Sequence, residues 1–192
     1  TDCTVLHGHG LSVGSEVAGG VENVRAERIH FKGTGAGVRI KSNRDRGNEI
    51  GNFVYRDLVM EDVVTPILVS EFYPKIPTVI DPAPLTRLTP RFHDITIDNL
   101  QATGAHQAAV VVGLPESPIR NLRLTKVHVR AKEGAKLDYV ELITKDFEVV
   151  TRFNSERAYL LNRVTDMPSV RLRIHRASQY ECRALALPGR VA

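Results

Sequence analysis

The feature that most constrains the fold is a weak internal repeat of short alternating segments. Each copy begins with Asn or Asp, continues with apolar residues that alternate with polar ones, breaks for two residues and then alternates again. Because successive side chains of a strand point to opposite faces, this alternation predicts strands with one buried face. The four copies occupy residues 22–31, 51–60, 93–102 and 120–129.

The leading polar residues of the four copies, Asn23, Asn52, Asp94 and Asn121, are separated by 29, 42 and 27 residues. A period in the high twenties, carried by short strands and polar turns, is typical of the coils of a parallel β-helix. A β-sandwich also has many short strands, but it does not predict Asn or Asp at the same point of every unit. We therefore expect an all-β chain folded as a right-handed parallel β-helix.

The long second interval predicts an insertion between two coils. Residues 72–91 contain five prolines and read as an irregular loop. After Gly134 the alternation weakens, although residues 170–174 are compatible with one more strand. We expect a single domain over residues 1–192, with clear coils over 1–134 and divergent, irregular or final coils over 135–192.

Composition limits the possible partners. The net charge is +4, but residues 151–192 carry eight Arg and three acidic residues, so residues 1–150 have a net charge of −1. A surface made for nucleic acid is not indicated. No apolar run approaches the roughly 20 residues that span a bilayer. Two cysteines, Cys3 and Cys182, do not form a disulfide framework or a metal motif, and we expect buried thiols.

One candidate for site chemistry is a histidine between two glycines, in the turn Gly8-His9-Gly10. Glycines let a backbone turn tightly and approach a ligand without a Cβ collision. His9 is therefore a candidate catalytic residue and Gly10 a candidate binding residue. A surface histidine in an ordinary turn is the alternative interpretation.

A second candidate is the strand segment Arg39-Ile40-Lys41. Residues i and i+2 of a strand share a face, so Arg39 and Lys41 should project together while Ile40 enters the core. Arginine offers a planar fork for a carboxylate, and lysine a mobile point charge. A solvated charged face is the alternative, because Arg44 and Arg46 extend the basic run.

Tyr73, at the start of the predicted loop, combines an apolar ring with a polar tip, as a sugar-binding groove requires. It is equally compatible with a core aromatic. His9, Arg39 and Tyr73 lie 30 and 34 residues apart. Stacked coils would therefore bring them to related angular positions in one groove.

These motifs, in this order, resemble glycoside hydrolase family 28, the polygalacturonase-like pectin hydrolases. The resemblance rests on the glycine-bracketed histidine, Gly14-Ser15, the Arg-Ile-Lys triplet and the following tyrosine, and it covers roughly residues 2–134. It implies inverting hydrolysis of a polyuronide, without metal or cofactor, by an extracellular or periplasmic enzyme. His9 would tune the protonation of catalytic aspartates, while Arg39, Lys41 and Tyr73, with Gly10, would bind the uronide.

The family's paired aspartate motifs have no counterpart here, and Asp2 is not assigned a catalytic role. The chain thus resembles the C-terminal part of such an enzyme, and we expect little turnover from it alone. Two alternatives remain: a non-catalytic β-helix module that binds anionic polysaccharide, and a calcium-dependent pectate lyase. Oligomeric state is not indicated.

Overall fold

A computed structural model describes residues 1–151 and the backbone of residues 159–165. All regular secondary structure in these residues is β-strand. The strands are β1 (Cys3–Val5), β2 (Leu11–Val13), β3 (Val21–Glu22), β4 (Arg25–Lys32), β5 (Ala36–Lys41), β6 (Glu49–Glu61), β7 (Thr65–Ser70), β8 (Arg91–Val112), β9 (Ile119–Thr151) and β10 (Tyr159–Thr165).

Every strand pair in this part of the chain is parallel, and each strand pairs with the equivalent strand of the next coil. One stack runs β1-β4-β6-β8 and a second runs β2-β5-β7-β8, with β9 on β8 and β10 on β9. A sandwich of antiparallel sheets is therefore wrong for this chain. The parallel β-helix expected from the repeat is confirmed.

The polar residue that opens each repeat is a backbone kink. Asn23, Asn52, Asp94 and Asn121 have φ angles of 62°, 55°, 50° and 53°. Asn and Asp tolerate this left-handed region better than other residues with a Cβ. Their side chains also join adjacent coils, since Asn52 donates to Asn23 and Asn121 donates to Asp94. The repeat thus marks the corner at which each coil changes direction.

The two-residue break inside each repeat is a second corner. Its residues also have positive φ, between 49° and 56°: Arg28, Asp57, Asn99 and Lys126. Because corners bend the chain without ending the strand, β6, β8 and β9 each extend over more than one side of a coil. These long strands keep the inward side chains in register.

The core consists of columns of equivalent residues from successive coils. One column is Ile29, Leu58, Leu100 and Val127, each in register with the next and at most 5% exposed. Cys3 is in register with Ile29 at the head of this column. It is nevertheless exposed, because no described strand packs on the other face of β1, and the expectation that Cys3 is buried is wrong. Cys182 lies outside the described residues.

The segment between β7 and β8, residues 71–90, contains no strand, as the prolines predicted. Residues 135–138 belong to β9 and pair in register with the end of β8. β10 pairs in turn with residues 135–141. The predicted strand at residues 170–174 and most of the arginine-rich tail lie outside the described residues.

Candidate functional site

Two glycines fix the strand that lies beside the predicted cation strand. Gly10 and Gly14 flank β2 and have φ angles of 70° and 96°. A Cβ on Gly10 would overlap the carbonyl oxygen of Ala36, and a Cβ on Gly14 would overlap that of Lys41. Both ends of β2 therefore lie directly against the backbone of β5. This contact gives Gly10 a packing role, while its contact with substrate stays a prediction.

His9 projects from the turn that precedes β2 and is exposed. The carbonyl of Gly8 accepts a hydrogen bond from the Gly35 N–H at 2.8 Å, which ties this turn to the residues before β5. A Cβ on Gly35 would lie 3.8 Å from Nδ1 of His9, so the imidazole lies over Gly35. The ring is thus accessible to a ligand at the start of the cation strand.

The cation strand β5 has the alternation that its sequence predicts. Val38 and Ile40 are completely buried in the core, whereas Arg39 and Lys41 are partly exposed on the outer face. In register with Arg39, the neighbouring coils place Ser12 on one side and Leu68 on the other. These short or apolar neighbours leave the guanidinium without a competing carboxylate.

The charge on this strand is unbalanced. Within the described residues, neither Arg39 nor Lys41 makes a salt bridge or a side-chain hydrogen bond to a protein group. By contrast, carboxylates lie within salt-bridge distance of Arg44 and Arg46, which follow in the sequence. Two partly buried, unpaired cations two residues apart on one strand form a binding site for an anion.

Tyr73 joins Lys41 at the end of the strand. The Nζ atom of Lys41 lies 4.1 Å from the centre of the Tyr73 ring, a cation–π contact. The Tyr73 N–H donates to the Ser42 carbonyl at 2.9 Å, which holds the tyrosine beside the cation strand of the preceding coil. The peptide bond from Tyr73 to Pro74 is cis.

The candidate residues follow one another along the strand direction and do not form a column across the coils. The register steps at Arg39 are 27 residues back to Ser12 and 29 forward to Leu68. His9 therefore lies before the start of β2, and Tyr73 lies beyond the end of β7. The sequence intervals of 30 and 34 residues gave the correct neighbourhood but the wrong angular alignment.

Sequence reasoning missed a buried polar cluster next to Tyr73. Glu71 is 0% exposed, and the Glu116 side chain is 7% exposed. Arg44 forms two hydrogen bonds with the Glu116 carboxylate, from Nε at 2.6 Å and from Nη2 at 3.1 Å. Burial raises the pKa of Glu116, but these hydrogen bonds outweigh burial, so its pKa is lowered overall. The glutamate at the end of the apolar run of β7 was the available signal.

The described residues contain no group of three or more His, Cys, Asp or Glu side chains arranged to hold a metal ion. In the same part of the chain, no helix has the length and apolar character needed to cross a membrane.

Comparison with known proteins identifies the family. The family model for glycosyl hydrolases family 28 matches residues 1–148. This chain belongs to that family. The match extends beyond residue 134, where the resemblance carried by the motifs stops.

Several relatives share only part of their length with this family 28 chain. A polygalacturonase of Ralstonia nicotianae is 36% identical over 93 residues, which are 46% of this chain and 18% of that protein. A polygalacturonase of Prunus persica is 29% identical over 140 residues, 67% of this chain and 33% of that protein. The chain therefore spans about a third or less of the length of these curated relatives.

A solved structure shows the same fold. The family 28 exopolygalacturonase of Yersinia enterocolitica superposes with a TM-score of 0.58 and 14% sequence identity. The superposition covers 89% of this chain and 28% of that one. At this identity the likeness concerns the fold alone.

Proposed function

We propose that this chain forms the uronide-binding side of the active site of a polygalacturonan hydrolase. The observation that carries the proposal is the pair of unpaired cations on β5, with Tyr73 in contact with one of them. A galacturonosyl unit offers a carboxylate to the cations and an apolar sugar face to the aromatic ring. Family membership and the names of the relatives support a pectic polysaccharide as the substrate.

The roles follow from position and chemistry. Arg39 and Lys41 bind the substrate carboxylate, Tyr73 lines the same subsite, and Gly10 lets the backbone approach the sugar. His9, at the other end of the cation strand, contacts the catalytic carboxyl groups and tunes their protonation, for which imidazole is suited near neutral pH.

Inverting hydrolysis needs two carboxyl groups about 6.5–9.5 Å apart, one to protonate the leaving oxygen and one to activate water. Next to the groove, the described part of the chain offers Glu71 and Glu116, and both are buried. We propose that aspartates from a preceding part of the enzyme supply this pair. A pectic substrate also implies that the enzyme acts outside the cytoplasm, in the periplasm or the extracellular space.

Calorimetric titration of the chain with trigalacturonate tests the binding site. Removing a charge-assisted hydrogen bond costs about 1.5–3 kcal/mol, so Arg39→Met and Lys41→Met should each weaken binding about tenfold or more. Lys32→Met is the matched control, because Lys32 lies on another face and pairs with Glu61 at 3.3 Å. Equal affinities of wild type, Arg39→Met and Lys41→Met would refute the site.

Reducing-end release from polygalacturonate tests the reaction in the enzyme that includes the catalytic aspartates. Arg39→Ala should abolish hydrolysis there. A saccharide-binding protein with no hydrolysis would favour the non-catalytic alternative, and unsaturated products would identify a lyase.

A further inference from the structure

The chain leaves the β-helix at residues 70–73, where it turns from β7 into the long loop. On one side of this turn lies the preceding coil. The Ser42 N–H donates to the Ser70 carbonyl at 3.0 Å, and the Ser42 carbonyl accepts from the Tyr73 N–H at 2.9 Å. Tyr73 is therefore attached to the same segment that carries Lys41.

On the other side of the turn, Glu71 is attached to the following coil. Its N–H donates to the Val112 carbonyl at 3.0 Å, and its Oε2 accepts from the Leu114 N–H at 2.8 Å. In a continuing parallel strand, the backbone carbonyl of residue 71 would accept this second bond. The side-chain carboxyl takes the place of that carbonyl, which lets the main chain turn away after Glu71.

Phe72 is fixed between the two coils. It is 6% exposed and packs in an apolar cluster with Val110, Val112 and Leu114. The guanidinium carbon of Arg44 lies 5.3 Å from the centre of its ring. Because Phe72 is fixed on the side of the following coil, Tyr73 is directed back toward Lys41.

The surroundings of Glu71 favour its neutral form. Burial raises its pKa, while the backbone N–H groups of Leu114 and Phe92 lower it. The charged side chains that reach it are Glu116, which raises the pKa, and Arg44, which lowers it. The net pKa is well above the ordinary value. Its second oxygen, Oε1, has no hydrogen-bond partner among the described residues.

From this geometry we propose that Glu71 is a positioning residue for the uronide subsite: its carboxyl, hydrogen-bonded to the following coil, sets the turn that holds Tyr73 against Lys41. The part of the proposal that concerns uronide binding rests on the proposed function. The part that concerns the Lys41–Tyr73 contact stands independently of it.

Nuclear magnetic resonance tests the contact without any ligand. The Tyr73 ring current should shift the ε-methylene protons of Lys41 upfield, and Tyr73→Leu should remove that shift. We expect Glu71→Ala to remove most of the shift and Glu71→Gln to keep it, because the glutamine oxygen can still accept from the Leu114 N–H. Glu133→Gln, an exposed carboxyl on β9, is the matched control. A folded Glu71→Ala variant with the wild-type shift would overturn the proposal.

Titration with trigalacturonate tests the consequence for binding. Glu71→Ala should weaken binding about three- to tenfold, equivalent to about 0.7–1.4 kcal/mol. Glu71→Gln should restore the affinity at weakly acidic pH. The ratio of wild-type to Glu71→Gln affinity should fall as the pH rises and Glu71 ionises, because Gln cannot. A ratio that is independent of pH up to about 9, a range that includes documented pKa values of buried glutamates, would overturn the proposal.

The two experiments separate the two proposals. If wild type does not bind trigalacturonate but the Lys41 shift depends on Glu71 as expected, the proposed function fails and the positioning role stands. If wild type binds and the shift is unchanged in Glu71→Ala, the positioning role fails alone. If Glu71→Ala does not fold, the pH dependence of the wild-type to Glu71→Gln ratio decides.

Discussion

The corner at Asn52 gives a quantitative test of the fold. Its φ of 55° lies in the left-handed region, and its side chain donates to Asn23 on the preceding coil. The left-handed conformation costs a residue with a Cβ about 1–2 kcal/mol, and an exposed hydrogen bond contributes about 0.5–1.5 kcal/mol. Because Asn tolerates this conformation better than Ala, we expect Asn52→Ala to lower the free energy of unfolding by about 2 kcal/mol.

Asn52→Gly separates the two contributions. Glycine adopts positive φ without steric cost, so this variant should lose only the hydrogen bond, about 1 kcal/mol. Urea titration measures both. With a slope of about 2 kcal/mol per molar urea, Asn52→Ala should lower the midpoint by about 1 M and Asn52→Gly by about 0.5 M.

Val59→Ala is the matched control for this experiment. Val59 lies on the same strand, is 48% exposed and lies outside the kinks. Its substitution should change stability by no more than about 0.5 kcal/mol. If Asn52→Ala kept the wild-type midpoint, or if glycine destabilised the protein as much as alanine, the assignment of Asn52 as a strained corner would be refuted.

Three further predictions concern the groove, and urea titration measures each. Ile40→Ala should destabilise by about 2–5 kcal/mol and Ile40→Val by about 0.5–1.5 kcal/mol, because the side chain is fully buried; equal costs would contradict core packing. Gly10→Ala should destabilise by at least about 1 kcal/mol more than Gly8→Ala, since both have positive φ but only Gly10 meets a neighbouring backbone. For Glu71, the unfolded carboxyl ionises near 4.5 while the folded one stays protonated to higher pH. The unfolded state then binds fewer protons, so stability falls above pH 4.5, approaching about 1.4 kcal/mol per pH unit, until the folded carboxyl ionises; a slope unchanged in Glu71→Gln would contradict this.

The repeat could be predicted from the sequence because its determinants are local. Asn23, Asn52, Asp94 and Asn121 combine tolerance of left-handed backbone with flanking period-2 alternation, and both properties can be recognised in short segments. The outward position of Arg39 and Lys41 around a buried Ile40 follows from the same alternation. These features needed no knowledge of which coil packs on which.

The remainder depended on contacts between distant residues. Arg44 pairs with Glu116, 72 residues away, and the local sequence suggested Asp45 and Glu49 as its neighbours. The contact of Gly10 with Ala36 depends on coil register, which the repeat gives only to within a few residues. Cys3 has an inward sequence pattern, and its exposure depends on what packs against β1.

The central claim is that Arg39 and Lys41 recognise an ionised carboxylate in the groove. It is tested most directly by calorimetric titration of the chain with trigalacturonate and with its fully methyl-esterified form at several salt concentrations. We predict that the acid binds at least about tenfold more tightly than the ester, as expected for charge-assisted hydrogen bonds, and that added salt reduces this difference. Equal affinity for the acid and the ester, independent of salt, would contradict the claim.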